Sequence, residues 1–426
     1  MNPRDPRWPS DLDPERDDPA PNVSSTALVR PKRRSSFRTM ETVLLASTAA
    51  LLAAVAWPIA TGQNAPAEPP HTNIVVQAPA TTPTAAPKIQ LALLLDTSSS
   101  MDGLIDQARS QLWAVVNALD SATFQGATPG LEIAIYEYGN DNLPEAGGYI
   151  REVVPFSSEL DVVSEGLFGL TTAGGDEYAG QVIARATDEL KWDDGDNVLR
   201  VVYIAGNEEF SQGPLDFRET VAAAKARGIV VNTVNCTGQG TWDQGWQDAA
   251  RIGGGKALRI DHNAKQAYIP SPHDDEIETL STKLNATYLG YGARAESAMA
   301  NQTMQDGNSV SAGRASSIAR AMSKTSRLYD NSSWDLVDAL ERGTVDIPNL
   351  DRSTLSEELS GLSDEALETK ITEAKAERER LKKKLRGLQK KREAFVADKR
   401  AEGGERLDDA IIESITTQAN SAGFTL

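Results

Sequence analysis

The chain has 426 residues, 40% of them hydrophobic and 6% aromatic, with a mean hydropathy of −0.39. That is room for two or three compact units at ~100–200 residues each, or for one domain with long flanks, and it excludes a multi-span membrane protein. The 61 acidic residues outnumber 43 basic ones to give a net charge of −18, which repels a phosphate backbone, removes nucleic acid as a partner and suits hard cations. Cys236 is the single cysteine, so no intrachain disulfide, redox pair or thiolate zinc cluster exists, and His71, His262 and His273 lie in unrelated contexts.

Residues 1–38 are crowded with Pro, Asp, Arg and Ser and show no apolar period, which predicts a solvated cytoplasmic tail. The tail ends in Arg30, Lys32, Arg33, Arg34 and Arg38. Within residues 39–61, the uncharged stretch TVLLASTAALLAAVAWPIA from Thr42 to Ala60 has about the length that crosses a ~30 Å hydrocarbon core. Basic residues before it and none soon after predict a signal-anchor helix in the cell membrane. The N-terminus is then cytoplasmic and the rest exported, to a periplasm or the cell exterior. A cleaved signal peptide, a buried core helix and a displaced twin-arginine signal are the competing readings. Residues 62–87 are rich in Pro, Ala and Thr, a semi-rigid spacer.

Across residues 88–291, apolar runs alternate with amphipathic helical patterns. IQLALLLD, LEIAIYEYG, YIREVVPFS, VLRVVYIAG, GIVVNTVN and KALRID are predicted strands. Helices are predicted near Leu104 to Leu119, Ala179 to Leu190, Phe217 to Arg227 and Glu276 to Leu284. Near-continuous apolar character in LALLL and VVYI requires burial on both faces. The fold class is therefore α/β, a doubly wound, mostly parallel open sheet. Residues 292–350 are predicted as a helical extension packing on it. In residues 351–426, Leu367, Ile371, Ala374, Arg378, Leu381, Leu385, Leu388, Arg392 and Phe395 fall at alternating steps of four and three. That stripe predicts a C-terminal coiled coil able to self-associate, or a helix folding back against the segment Leu407 to Ile415.

Where the first apolar run stops, the chain reads Asp96-Thr97-Ser98-Ser99-Ser100-Met101. Alternate side chains of an extended segment face one way, so Asp96, Ser98 and Ser100 converge as a carboxylate and two hydroxyls. Such hard oxygens at the carboxyl edge of an α/β sheet suit Mg²⁺. The alternative is that the hydroxyls cap the following helix, with Asp102 in its first turn. GGGK at Gly253 to Lys256 precedes a strand and lacks the following Ser or Thr, so it is a tight turn, and DDGDN from Asp193 is a solvated connector.

This D-x-S-x-S run after a buried strand resembles the metal-ion-dependent adhesion site of the von Willebrand factor type A domain, over roughly Lys88 to Tyr291. The resemblance implies a divalent cation, Mg²⁺ or else Mn²⁺ or Ca²⁺, on Asp96, Ser98 and Ser100, with a position left for an oxygen ligand from a partner protein. Where the family has a Thr in a second loop, TTAGGDEYAG offers Asp176, with Thr172 or Thr171 as the alternative. Where the family has Asp-Gly, Gly206-Asn207-Glu208-Glu209 makes Asn207 or Glu208 the substitute. A second carboxylate at Asp176 would neutralise the ion and weaken its pull on an acidic ligand, leaving a neutral oxygen ligand, a structural metal, or Asp176 behind the direct ligands.

Together these readings describe a membrane-anchored, non-enzymatic binding or scaffold protein of the cell envelope. The alternatives are a metal-dependent hydrolase with Glu208 or Glu209 as base, and a structural protein acting mainly through its C-terminal helix.

Overall fold

The computed structural model describes residues 86–238, 242–260, 268–399 and 407–426. The tail, the stretch 42–60, most of the spacer, His71 and His262 lie outside the described residues. No helix among the described residues is long and apolar enough to cross a membrane.

The strands are β1 (Lys88–Asp96), β2 (Thr123–Phe124), β3 (Gly130–Tyr138), β4 (Ile150–Ser157), β5 (Val198–Gly206), β6 (Ile229–Asn235), β7 (Gly254–Arg259) and β8 (Phe424–Thr425). Six of them form one sheet in the order β4-β3-β1-β5-β6-β7. Only β4 runs antiparallel, against β3; the other pairings are parallel. The order reverses at β1, and there the crossovers leave in opposite directions and open a crevice at the carboxyl edge.

The helices in the strand-bearing half are α1 (Asp102–Leu119), α2 (Leu160–Phe168), α3 (Ala179–Glu189), α4 (Phe217–Ala226) and α5 (Gln244–Gly253). After β7 come α6 (Asp274–Asn285), α7 (Ala295–Ser311), α8 (Arg314–Ser323), α9 (Leu336–Arg342), α10 (Glu357–Ser360), α11 (Asp364–Lys399) and α12 (Leu407–Ser421). The period-two alternation of β1 splits its side chains between two layers. Ile89, Leu91 and Leu95 join Leu112, Val116, Leu167 and Ile318 on one face, and Ala92 and Leu94 join Val182, Ile183, Val221 and Trp246 on the other. The GGGK turn is a helix end that runs straight into a strand, with Gly254 in the left-handed region (φ +73) both capping α5 and opening β7.

The C-terminal stripe departs from the coiled-coil expectation. Leu367 and Ile371 of α11 pack with Leu336, Val337, Leu355 and Leu359, while Leu381, Leu385 and Leu388 enter the core beside the sheet. Arg378, which interrupts the stripe, is buried: its guanidinium reaches Asp335 and Asp338 at 2.6 Å each and lies 4.1 Å from the Tyr288 ring centroid. An apolar seam is satisfied by any complementary surface, and here α6, α8 and α9 of the same chain supply it.

The fold-back alternative is corrected as well, because α12 lies against α1 and β7. Gln418 and Asn232 of β6 exchange two side-chain hydrogen bonds, at 2.6 and 3.1 Å. Ser414 bonds the Tyr203 hydroxyl of β5. The chain then ends as β8, antiparallel to β2, with the Phe124 and Phe424 rings 5.0 Å apart.

Candidate metal centre

Parallel pairing sets the end of β1 between Tyr138 of β3 and the last residues of β5. Asp96 is fully buried there, and its Oδ1 accepts the Ser98 backbone N–H at 2.8 Å. Its Oδ2 is a buried acceptor with no hydrogen-bond partner among the described residues. Glycines make the space: a Cβ on Gly206 would stand 2.6 Å from the Tyr138 hydroxyl and 3.0 Å from Asp96 Oδ2. A Cβ on Gly139 would stand 2.8 Å from Glu177 Cγ and 3.1 Å from Asp96 Oδ1.

Ser98 holds an extended backbone (φ −63, ψ 163), so the alternation of the strand carries on into the loop. The Ser98 and Ser100 hydroxyls lie 3.2 Å apart, and the Asn207 side-chain amide donates to Ser100 Oγ at 3.0 Å. Asn207 Oδ1 is a second buried acceptor without a partner. Neither Ser98 nor Met101 makes a side-chain cap bond, so the helix-capping alternative is corrected and the hydroxyls remain available.

The second loop is pinned by backbone bonds, from the Ala173 N–H to Thr97 O at 3.0 Å and from the Asp141 N–H to Gly174 O at 2.6 Å. Gly175 is required where it stands, since a Cβ would sit 2.5 Å from the Gly139 carbonyl oxygen. Asp176 is exposed and accepts from the Tyr178 hydroxyl at 3.1 Å. Thr172 donates to Asp102, and Thr171 is exposed, its carbonyl accepting from the Asn140 amide at 2.8 Å. The structure thus gathers Asp96, Ser98, Ser100 and Asn207 and turns Asp176 and Thr172 to other partners.

Sequence reasoning missed Glu177. It is 8% exposed and turns toward Asp96 as its neighbour Asp176 turns out. The available signal was alternation across Gly175-Asp176-Glu177, which sends adjacent side chains to opposite sides. Burial pushes the Glu177 carboxyl up to about 7, with the charges of Asp96 and Glu208 adding to it. Burial likewise pushes Asp96 up to about 7, opposed by the Ser98 hydrogen bonds and helped by Glu208. Glu208 is exposed at the rim, its carbonyl accepting from the Trp246 indole at 2.8 Å.

A divalent cation fits this set. A buried carboxylate oxygen without a partner costs several kcal/mol of lost solvation, roughly, unless a positive charge meets it. The donors are oxygens from carboxylates, hydroxyls and an amide, suited to a hard ion. No group of three His, Cys, Asp or Glu side chains placed to hold a metal occurs among the described residues, so the hydroxyls and the amide carry part of the set.

A family model of the von Willebrand factor type A domain matches residues 90–266. A comparison with curated proteins found no match. Among solved structures, the conserved hypothetical protein BatB from Bacteroides thetaiotaomicron is 18% identical, over 41% of this chain and 90% of that one, with a TM-score of 0.32. An aerotolerance-related membrane protein from Bacteroides fragilis, carrying multiple mutations to serines, is 15% identical over 41% of this chain and 92% of that one, with a TM-score of 0.29. Proximal thread matrix protein 1 of the mussel byssus, with a zinc-occupied MIDAS motif, is 15% identical over 42% of this chain and 43% of that one, with a TM-score of 0.31.

Proposed function

We propose, from the premise that residues 90–266 are a von Willebrand factor type A domain, that this chain holds a divalent cation at the end of β1 and presents it to a protein partner in the cell envelope. The observation that carries the reading is the fully buried Asp96, whose Oδ2 lacks a partner beside two serine hydroxyls. Asp96, Ser98 and Ser100 are the direct ligands in this reading. Asn207 orients Ser100, and Glu177 and Glu208 bring the negative charge that attracts the ion. Mg²⁺ suits the site first, with Mn²⁺ and Ca²⁺ as competitors, because each takes oxygen ligands and keeps exchangeable positions. Such a centre recognises by ligand exchange, and needs no nucleophile or acid–base pair.

Membrane attachment rests on the uncharged stretch 42–60 and the basic run before it. Protease treatment of intact cells or spheroplasts tests it: digestion of the domain from outside supports export, and full protection removes it.

The metal reading is tested by titration calorimetry of the metal-stripped full chain with magnesium, manganese and calcium. Heat of association with at least one ion, abolished by Asp96→Asn, is the expected result. The bound ion should also stabilise the fold by about 2.7 kcal/mol at a hundredfold excess over Kd. Silence with all three ions, or undiminished binding by Asp96→Asn, would overturn the reading.

A further inference from the structure

We infer that the N-cap and first turn of α5 clamp the loop after β5: Asp243, Gly245 and Trp246 are positioning residues that fix residues 206–210 and hold Asn207 against Ser100. Its consequence for the cation rests on the metal-site reading, to which it adds what sets the spacing of the third loop.

Residues 207–216 between β5 and α4 form no strand or helix, so their backbone groups need partners from elsewhere. Two come from α5. The Trp246 indole N–H donates to the Glu208 carbonyl at 2.8 Å, and the Asp243 carboxylate accepts the Phe210 backbone N–H at 3.1 Å. The loop is thereby fastened on both sides of Glu209. Asn207, one position before the first fastening, donates to Ser100 Oγ at 3.0 Å and keeps its Oδ1 as a buried acceptor without a partner among the described residues.

Each of the three residues is shaped for the loop as well as for the helix. Asp243 is the N-cap of α5, and the Oδ2 that accepts the Gly245 N–H at 3.1 Å also takes the Phe210 N–H. Capping needs only the first of these bonds. Gly245 is buried inside the first turn, where glycine weakens a helix. A Cβ there would stand 2.7 Å from Phe210 Cβ and 2.6 Å from Asp243 Oδ2, so the approach of the loop requires the glycine. Trp246 is 2% exposed and meets the Phe210 ring edge-on, with centroids 4.7 Å apart. Its far edge reaches β5: a Cβ on Gly206 would stand 3.1 Å from Trp246 Cη2 and 3.0 Å from Asp96 Oδ2. One indole therefore runs from the wall beside Asp96 to the Glu208 carbonyl.

The clamp bears on which cation is selected. Mg²⁺ demands near-ideal octahedral geometry at about 2.0–2.1 Å, whereas Ca²⁺ accepts irregular oxygen ligands at about 2.3–2.6 Å. A loop held at two points limits how far Asn207 and Ser100 can spread, and so favours the smaller ion. A slack loop loses that preference first.

The test uses the metal-stripped full chain, titrated calorimetrically with magnesium and with calcium, and amide exchange of residues 207–210 without metal. Trp246→Phe keeps the ring packing and loses the N–H, while Gly245→Ala raises helix propensity but collides with Phe210. Each is expected to weaken magnesium binding about tenfold, or about 1.4 kcal/mol, the upper worth of one such hydrogen bond, and calcium binding by less than about threefold. Residues 207–210 should exchange faster in both. Asp243→Ala should behave alike, and Asp243→Asn, which can cap and accept in the same way, should keep magnesium affinity within about twofold of the natural chain. Ala249→Gly weakens α5 from its middle and should leave the ratio of the two affinities unchanged. Equal weakening of both ions by Ala249→Gly and by the clamp variants would reduce the effect to helix stability and overturn the inference. Unchanged magnesium affinity or unchanged loop exchange in Trp246→Phe and Gly245→Ala would overturn it too. No heat from the natural chain with either ion, with loop exchange still raised in the variants, would overturn the metal reading and leave the clamp standing.

Discussion

Arg378 tests whether α11 belongs to the folded body or serves as a free association helix. The residue is 2% exposed, and Asp335, its main partner, is fully buried. Nη1 reaches Asp335 and Asp338 at 2.6 Å each, Nη2 donates to the Thr287 carbonyl at 2.6 Å, and Nε donates to Thr287 Oγ1 at 3.2 Å. In Arg378→Met the side-chain volume is largely kept but two carboxylates lose their counter-charge. Asp335 keeps the Leu289 and Asp338 backbone N–H groups, at 2.7 and 3.0 Å, which softens the penalty. Breaking one side of such a buried pair costs about 3–5 kcal/mol. At a urea slope of about 2 kcal/mol/M the unfolding midpoint should fall by about 2 M. Amide exchange along α11 should rise in parallel.

Acid should rescue part of this loss. Burial and Asp335 already push Asp338 up to about 6 against the pull of Arg378. A carboxyl whose folded pKa stands above its unfolded value holds more protons when folded, so its unfavourable contribution shrinks as pH falls toward about 4. The triple variant R378M/D335N/D338N, which removes the stranded charges while Asn keeps the cap of α9, should regain most of the stability. A loss under about 1 kcal/mol in Arg378→Met, with α11 exchange unchanged, would refute the reasoning and return α11 to the role of a free helix.

Lys324 is fully buried and bonds Asn285 at 2.7 Å and Asp306 at 2.5 Å, and burial, with Arg320 alongside, draws its ammonium down to about 8. Between that value and the ordinary lysine pKa of about 10.4 the unfolded chain holds a proton that the folded one does not. Stability from this group therefore rises with pH across the window. Urea midpoints at pH 7.5 and 9.5 should show the advantage of the natural chain over Lys324→Met growing with pH; an advantage independent of pH would contradict it. Gln418→Ala removes two hydrogen bonds of the fully buried Asn232 amide beneath α12 and leaves it the Lys256 backbone N–H at 2.8 Å and the Val202 carbonyl at 3.5 Å, at an expected cost of about 1–2 kcal/mol. Faster exchange confined to α12 and β8 should accompany it, and unchanged thermal stability would show that α12 is held by apolar contacts alone.

Much of the centre could be read from residues alone, because its physics is local. A near-continuous apolar run ending in Asp96 announces a strand buried on both faces. Two-residue alternation then carries Ser98 and Ser100 to the side of Asp96 without reference to any distant element. The same periodicity separated strands from helices and gave the parallel α/β class.

Tertiary packing decided which of several equivalent neighbours was used. Asp176 and Glu177 are both acidic and adjacent, and only the packing of Glu177 against Gly139, with Asp176 left exposed, shows which one turns inward. The heptad-like stripe of α11 states that an apolar surface must be covered, yet α6, α8 and α9 cover it in this chain. The return of α12 to Tyr203 and Asn232 joins residues some two hundred positions apart. Local propensity and period carry no information at that separation, since the choice is made by shape and by the pairing of buried polar groups once the sheet exists.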